Sequence, residues 1–166
     1  SAFASLFSFG AAPRASIFLG KKDIETAEKT LGNSFTLLII SSIIVTFLVL
    51  VFHKPLLYLF GASSNTIGYA SRYIKIYAIG TIFVELTLGL NAFISVQGFS
   101  KIAMTTVIIG AVTNIILDPI FIYLLNIDVA GAALATIISQ ALSAAFALKF
   151  MLGERTKLSI KKKNYL

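Results

Sequence analysis

Asn114, Asp118 and Pro119 sit inside a run that is otherwise almost wholly apolar from position 102 to position 125. An aspartate at the centre of a membrane helix costs roughly 2.5–3.5 kcal/mol on insertion scales, so it is expected to face a bundle interior or a watery cavity. Proline cannot donate to the carbonyl four residues earlier, and its ring pushes that carbonyl aside. Pro119 therefore predicts a kink and a freed Ile115 oxygen near both polar side chains. A carboxylate, an amide oxygen and a freed carbonyl suit a hard cation or a proton. The plainer alternative is that Asp118 bonds only locally around the proline break.

Spacing extends the pattern. Thr106, Gly110, Asn114 and Asp118 recur at i+4 and share one helix face. In the last apolar run, Gly131, Ala135, Ser139, Ser143 and Ala147 form a small-residue stripe that permits close helix approach. For Ser139 and Ser143, packing is the better explanation. Thr136 and Gln140 lie on the adjacent stripe, and counting about 1.5 Å per residue from the intervening turn brings Thr136 and Asp118 to similar depth. Glu85 and Asn91 are further polar residues of an apolar segment, on different faces, and are candidates for a cavity or cargo site. Glu85 is also open to snorkelling or to pairing with Arg14, which reads as an anchor at the membrane edge.

The elements that must hold these residues follow from composition. Hydrophobic residues make up 57% of the chain and charged ones 13%, well above the apolar share of soluble domains. The expected class is all-α: a polytopic transmembrane bundle of about five spans. The first run, 1–20, is interrupted by Pro13 and Arg14; without a basic region before it or a cleavage site after it, it is expected to be part of a longer protein and no signal peptide. Residues 21–31 predict a short interfacial helix capped by Asp23, with Glu25 and Lys29 paired. Residues 35–52 form a clean span that His53, Lys54 and Pro55 should end. A turn at 61–65 leads into a fourth element through Tyr69, Tyr73 and Tyr77 to Val96. Spans at 102–125 and 132–152 complete the lobe, and 153–166 is a basic tail.

Alternating the spans puts Lys21, Lys22, Lys29, Lys101, Lys149, Arg155, Lys157, Lys161, Lys162 and Lys163 on one side, against Lys54, Arg72 and Lys75 on the other. The first side is therefore expected to be cytoplasmic. The net charge of +7 is explained by this membrane asymmetry, with no nucleic-acid partner. Zero cysteines and one histidine remove thiolate chemistry and a histidine metal cluster. Hydrolase, zinc-protease and P-loop signatures are lacking, so an enzyme is not expected.

Residues 10–23, Gln97-Gly98, 114–122 and 131–140 together resemble the multidrug and toxic compound extrusion (MATE) family. The resemblance implies a partial N-terminal lobe, second to sixth helices, of a twelve-helix antiporter in the plasma membrane. Residues 1–152 would be that lobe, and 153–166 a cytoplasmic linker to the C-terminal lobe. It implies export of small organic cations or drugs in exchange for sodium ions or protons, without another cofactor. Asn114, Asp118 and Thr136 would hold the coupling ion, sodium included, while an acidic residue of the first helix lies outside this chain. A lipid or polysaccharide flippase, or a non-transporting scaffold, remains the alternative; the intramembrane acids Glu85 and Asp118 tilt towards cationic cargo.

Overall fold

The computed structural model describes residues 2–153 and 156–158, and among them every regular element is a helix. In order these are α1 (Ala2–Gly20), α2 (Ile24–Leu59), α3 (Ile67–Ile79), α4 (Thr81–Val96), α5 (Ser100–Pro119), a π-helical turn (Ile120–Leu124) and α6 (Asp128–Met151). Four stretches are long and apolar enough to cross a membrane, and α3 with α4 makes a fifth if the bent pair is one span. The expected bundle of about five spans is what forms. α4 is its hub, packing against α1, α2, α5 and α6.

Three elements differ from the sequence expectation. No separate interfacial helix forms: α2 is continuous over 36 residues. Its start is capped as expected, because the Thr26 N–H donates to Asp23 Oδ1 at 3.1 Å. Hydrogen bonding from Thr26 also holds the Asp23 carboxyl below its ordinary 3.8. Ala27, Leu31, Ser34, Leu38 and Ser41 then bury one stripe that runs straight through Gly32 and Asn33, so packing overrides the weak local breakers. Pro55 lies within the helix and does not end it. Prolines are tolerated inside membrane helices where neighbouring groups re-satisfy the backbone. At about 1.5 Å per residue, α2 is roughly 54 Å long, well over the ~30 Å of hydrocarbon it would cross.

The fourth apolar element is not one straight helix. α3 and α4 meet at Gly80 with a 50° bend. The sequence shows a lone glycine, and its packing is tertiary: a Cβ at Gly80 would overlap the Ile137 side chain of α6. The last helix also starts earlier than expected, at Asp128. Asn126 and Asp128, at φ 50° and 53°, turn the chain into it.

The tightest packing lies where α1 ends, α2 begins and α4 passes into α5. Ala12, Ala15, Ala27, Leu31, Leu90, Phe93, Ile94, Ala103, Ala147 and Met151 form one cluster there. Leu158, beyond α6, is fully buried in the same cluster. Gln97 fixes that return of the chain: its Oε1 accepts from Thr156 Oγ1 at 2.7 Å and from the Lys157 and Leu158 N–H groups at 2.9 Å. This end carries Lys21, Lys22, Lys101 and Lys149, as the alternating spans require. Of the basic tail, positions 153 and 156–158 are described; Arg155, Lys161, Lys162 and Lys163 lie outside the described residues.

Candidate functional site

At Pro119 the helix changes character without breaking, and Ser100–Leu124 remains one helical stretch. α5 ends at Pro119, and the chain continues as a π-helical turn in which the Leu125 N–H donates to the Ile120 oxygen at 3.0 Å. Such wide turns leave backbone groups displaced from regular helix bonding and recur at functional sites. Gly131 lets α6 begin directly against this turn, since a Cβ there would lie 3.0 Å from the Phe121 carbonyl carbon and oxygen. Midway along α5, Gly110 serves the same purpose, with Ser143 occupying the space a side chain would need.

Close approach of α5 and α6 puts the two polar stripes together. Asn114 Nδ2 donates to Thr136 Oγ1 at 3.5 Å, and Thr136 donates to the Ala132 oxygen at 2.9 Å. The amide nitrogen of Asn114 is thereby turned to α6, which leaves its oxygen as an acceptor. Ser143 donates across to the Thr106 oxygen of α5 at 3.0 Å and so serves helix packing, while Ser139, fully buried, donates to the Ala135 oxygen of its own helix at 2.7 Å. Thr87 of α4 reaches the Gln140 carbonyl at 3.4 Å and closes the third side.

Between these three helices lies a cavity of about 250 Å³, lined by Asn91, Asn114, Thr136, Ser139, Gln140 and Ser143 together with Thr87 and Gly110. Of the residues singled out in the sequence, Asn91, Asn114, Thr136 and Gln140 converge on this space. Asp118 stands one turn beyond Asn114, partly buried and outside the lining; its Oδ1 is buried without a hydrogen-bond partner among the described residues. Asn91 Oδ1 is in the same condition. An unpaired carboxylate oxygen of this kind, one turn along α5 from Asn114, has the chemistry of a ligand for a hard monovalent cation or a proton.

Glu85 goes elsewhere. It is 1% exposed and faces α2, where Ser41 Oγ lies 2.5 Å from its Oε2. Arg14 does not pair with it, lying instead over the Phe18 ring at 5.8 Å. Sequence reasoning passed over Ser41 and Thr87, whose partners are 44 and 53 positions away in the chain. It noted Gln97 without a role, and only the return of the chain after α6 supplies one.

A second, larger space of about 700 Å³ opens between α1, α4 and α5. Phe9, Ala12, Pro13, Ala92, Met104 and Val107 make it apolar, and it shares Leu88, Asn91 and Val107 with the polar cavity. A greasy groove thus runs up to a polar pocket.

This arrangement has counterparts. The MatE family model matches residues 1–120. The protein belongs to the MatE family. It is 33% identical over 163 residues to a multidrug export protein, MepA, of Staphylococcus haemolyticus, a match that covers 98% of this chain. A MepA of Staphylococcus aureus is 31% identical over 156 residues. The chain spans 36% and 35% of the length of these two relatives. Among solved structures, an inward-facing multidrug resistance MATE family transporter superposes with a TM-score of 0.94 at 26% identity, covering 99% of this chain and 38% of that one. The outward-facing form superposes with a TM-score of 0.91. This MatE chain is thus a multi-pass membrane lobe, corresponding to part of a longer transporter.

Proposed function

We propose that the full-length protein containing this lobe exports organic, cationic or amphipathic compounds in exchange for protons or sodium ions, with Asp118, Asn114 and Thr136 as the coupling site. The observation that carries the reading is the unpaired, buried Asp118 oxygen one turn from the Asn114–Thr136 contact. In hydrocarbon such a carboxylate has a strong affinity for a positive charge.

Volume separates ion from cargo. Drug-sized ligands occupy about 300–1,000 Å³, so a cavity of about 250 Å³ serves an ion and its waters better than a drug. Cargo would lie along the adjoining apolar groove and reach the polar cavity at Asn91, with the C-terminal lobe supplying the opposite wall. Asn91 and Gln140 would orient its polar end. Neutralisation of Asp118 would alter the balance at Pro119 and the π-turn that follows it. The similar match of this lobe to inward- and outward-facing relatives favours rocking of a nearly rigid lobe as the transport motion.

The test places the full-length parent protein in liposomes under an imposed sodium or proton gradient and follows a fluorescent organic cation. Gradient-driven movement that is lost in Asp118→Asn supports the reading. Movement of lipid headgroups, with no movement of the cation under either gradient, replaces it with a flippase.

A further inference from the structure

α4 has a second polar face, turned away from the cavity into the seam with α1 and α2. On it, Glu85 is 1% exposed, and Gly89, one turn on, lets Leu38 of α2 and Ser8 of α1 close over the helix. Ser8 is itself 1% exposed, with an Oγ that has no hydrogen-bond partner among the described residues. Ser41 Oγ sits 2.5 Å from Glu85 Oε2 and 3.1 Å from the Leu38 carbonyl oxygen.

Proton counting decides what this geometry means. A serine hydroxyl has one hydrogen and accepts through its lone pairs. It cannot donate fully to both Leu38 O and Glu85 at once. If Glu85 is ionised, Ser41 supplies it with a single hydrogen, and a carboxylate stays in the membrane interior with no cationic side chain beside it among the described residues. If Glu85 carries a proton, the carboxyl O–H donates to Ser41 Oγ and the Ser41 hydrogen passes on to Leu38 O, so one chain of bonds runs from Glu85 to the α2 backbone and no charge is buried.

We propose that Glu85, Ser41 and Leu38 O form a proton-binding site in the α1–α2–α4 seam, separate from the Asn114–Asp118–Thr136 site. The bound proton is structural: it neutralises Glu85 and lets the seam close dry, while the opposite flank of α4 faces the cavity. Other charged groups do not supply that neutralisation. Arg14 of α1 lies over Phe18. On α2, Glu25, Glu28, Lys29, His53 and Lys54 are roughly 18 Å or more along the helix from Ser41. On α3, Arg72 and Lys75 are exposed, and Tyr73 and Tyr77 lie before the Gly80 bend. Lys101, Asp128 and Lys149 are exposed near the ends of α5 and α6, and Asp118, itself an acid, stands near the far end of α5.

The proposal does not depend on the transport reading, and its test has a different readout. Infrared spectra of the full-length parent protein in lipid nanodiscs at neutral pH would be recorded for wild type, Glu85→Gln, Ser41→Ala and Asp118→Asn. The expected result is a protonated-carboxyl C=O band that persists in Asp118→Asn, disappears in Glu85→Gln and shifts in Ser41→Ala, where its hydrogen-bond acceptor is gone. Loss of an ionised-carboxylate band in Glu85→Gln, in place of the protonated one, overturns the proposal. So does a Glu85 carboxylate band that responds to added sodium, which makes the seam a sodium site. If Glu85→Gln does not fold, Ser41→Ala alone decides: a shifted protonated band supports the assignment, and an unchanged spectrum overturns it.

Discussion

Glu85 and Asp118 are both acids at membrane depth on helices that touch, yet their surroundings differ in kind. Glu85 is sealed between α1, α2 and α4 with a hydroxyl partner in contact. Asp118 is partly buried beside the π-helical turn, with an oxygen that no described group satisfies. A sealed and partnered acid suits a fixed structural role, whereas an acid left short of a partner next to pliable backbone suits an ion that comes and goes. Depth in the membrane makes both residues notable; local hydrogen bonding tells them apart.

The largest effect that tests this contrast is on transport. Asp118→Asn in the full-length parent should lower gradient-driven export by at least about tenfold, the equivalent of ~1.4 kcal/mol or more, while Glu85→Gln leaves the rate near wild type in the same liposome assay. Next is stability at the packed end. Phe93→Ala should cost about 3–5 kcal/mol, because Phe93 is fully buried in the cluster that holds α1, α2, α4 and α6 together. Thermal unfolding in detergent would register it, and a cost below ~1 kcal/mol would mean that this end is not the rigid one.

A smaller change sharpens the contrast on the Asp118 side. Gly131→Val should cost about 1–3 kcal/mol by pushing α6 off the Phe121 backbone, and should raise hydrogen exchange across the π-turn more than in the seam. The least effect is expected at Glu85 itself. Glu85→Gln keeps shape and a donor towards Ser41, so its unfolding free energy should stay within ~0.5 kcal/mol of wild type. A cost of several kcal/mol would show that the seam needs charge.

Sequence periodicity put Asn114, Thr136 and Gln140 on facing helices, because the i+4 stripes of small residues set the register of α5 and α6, but it reached neither Thr87 on α4 nor the position of Asp118 outside the lining. Span number was legible for a similar reason: hydropathy acts along the chain, residue by residue. The continuity of α2 was not, since Gly32, Asn33 and Pro55 are local breakers and the stripe that overrides them is buried against other helices. The Gly80 bend was hidden in the same way, since the side chain packed against that glycine, Ile137, comes from α6. Nothing along the chain separates Glu85 from Asp118 either. That distinction comes from Ser41 and Leu38, which reach Glu85 and Gly89 only after α2 packs on α4.

The central claim, that one acid exchanges its cation while the other keeps its proton, is tested most directly by counting ions released when an organic cation binds. The full-length parent protein in nanodiscs would be titrated with that cation in weakly buffered solution, with proton and sodium release followed for wild type, Asp118→Asn and Glu85→Gln. Release equal to wild type in Glu85→Gln, and abolished in Asp118→Asn, is the predicted result. Release that survives Asp118→Asn, or that vanishes in Glu85→Gln, would contradict the account.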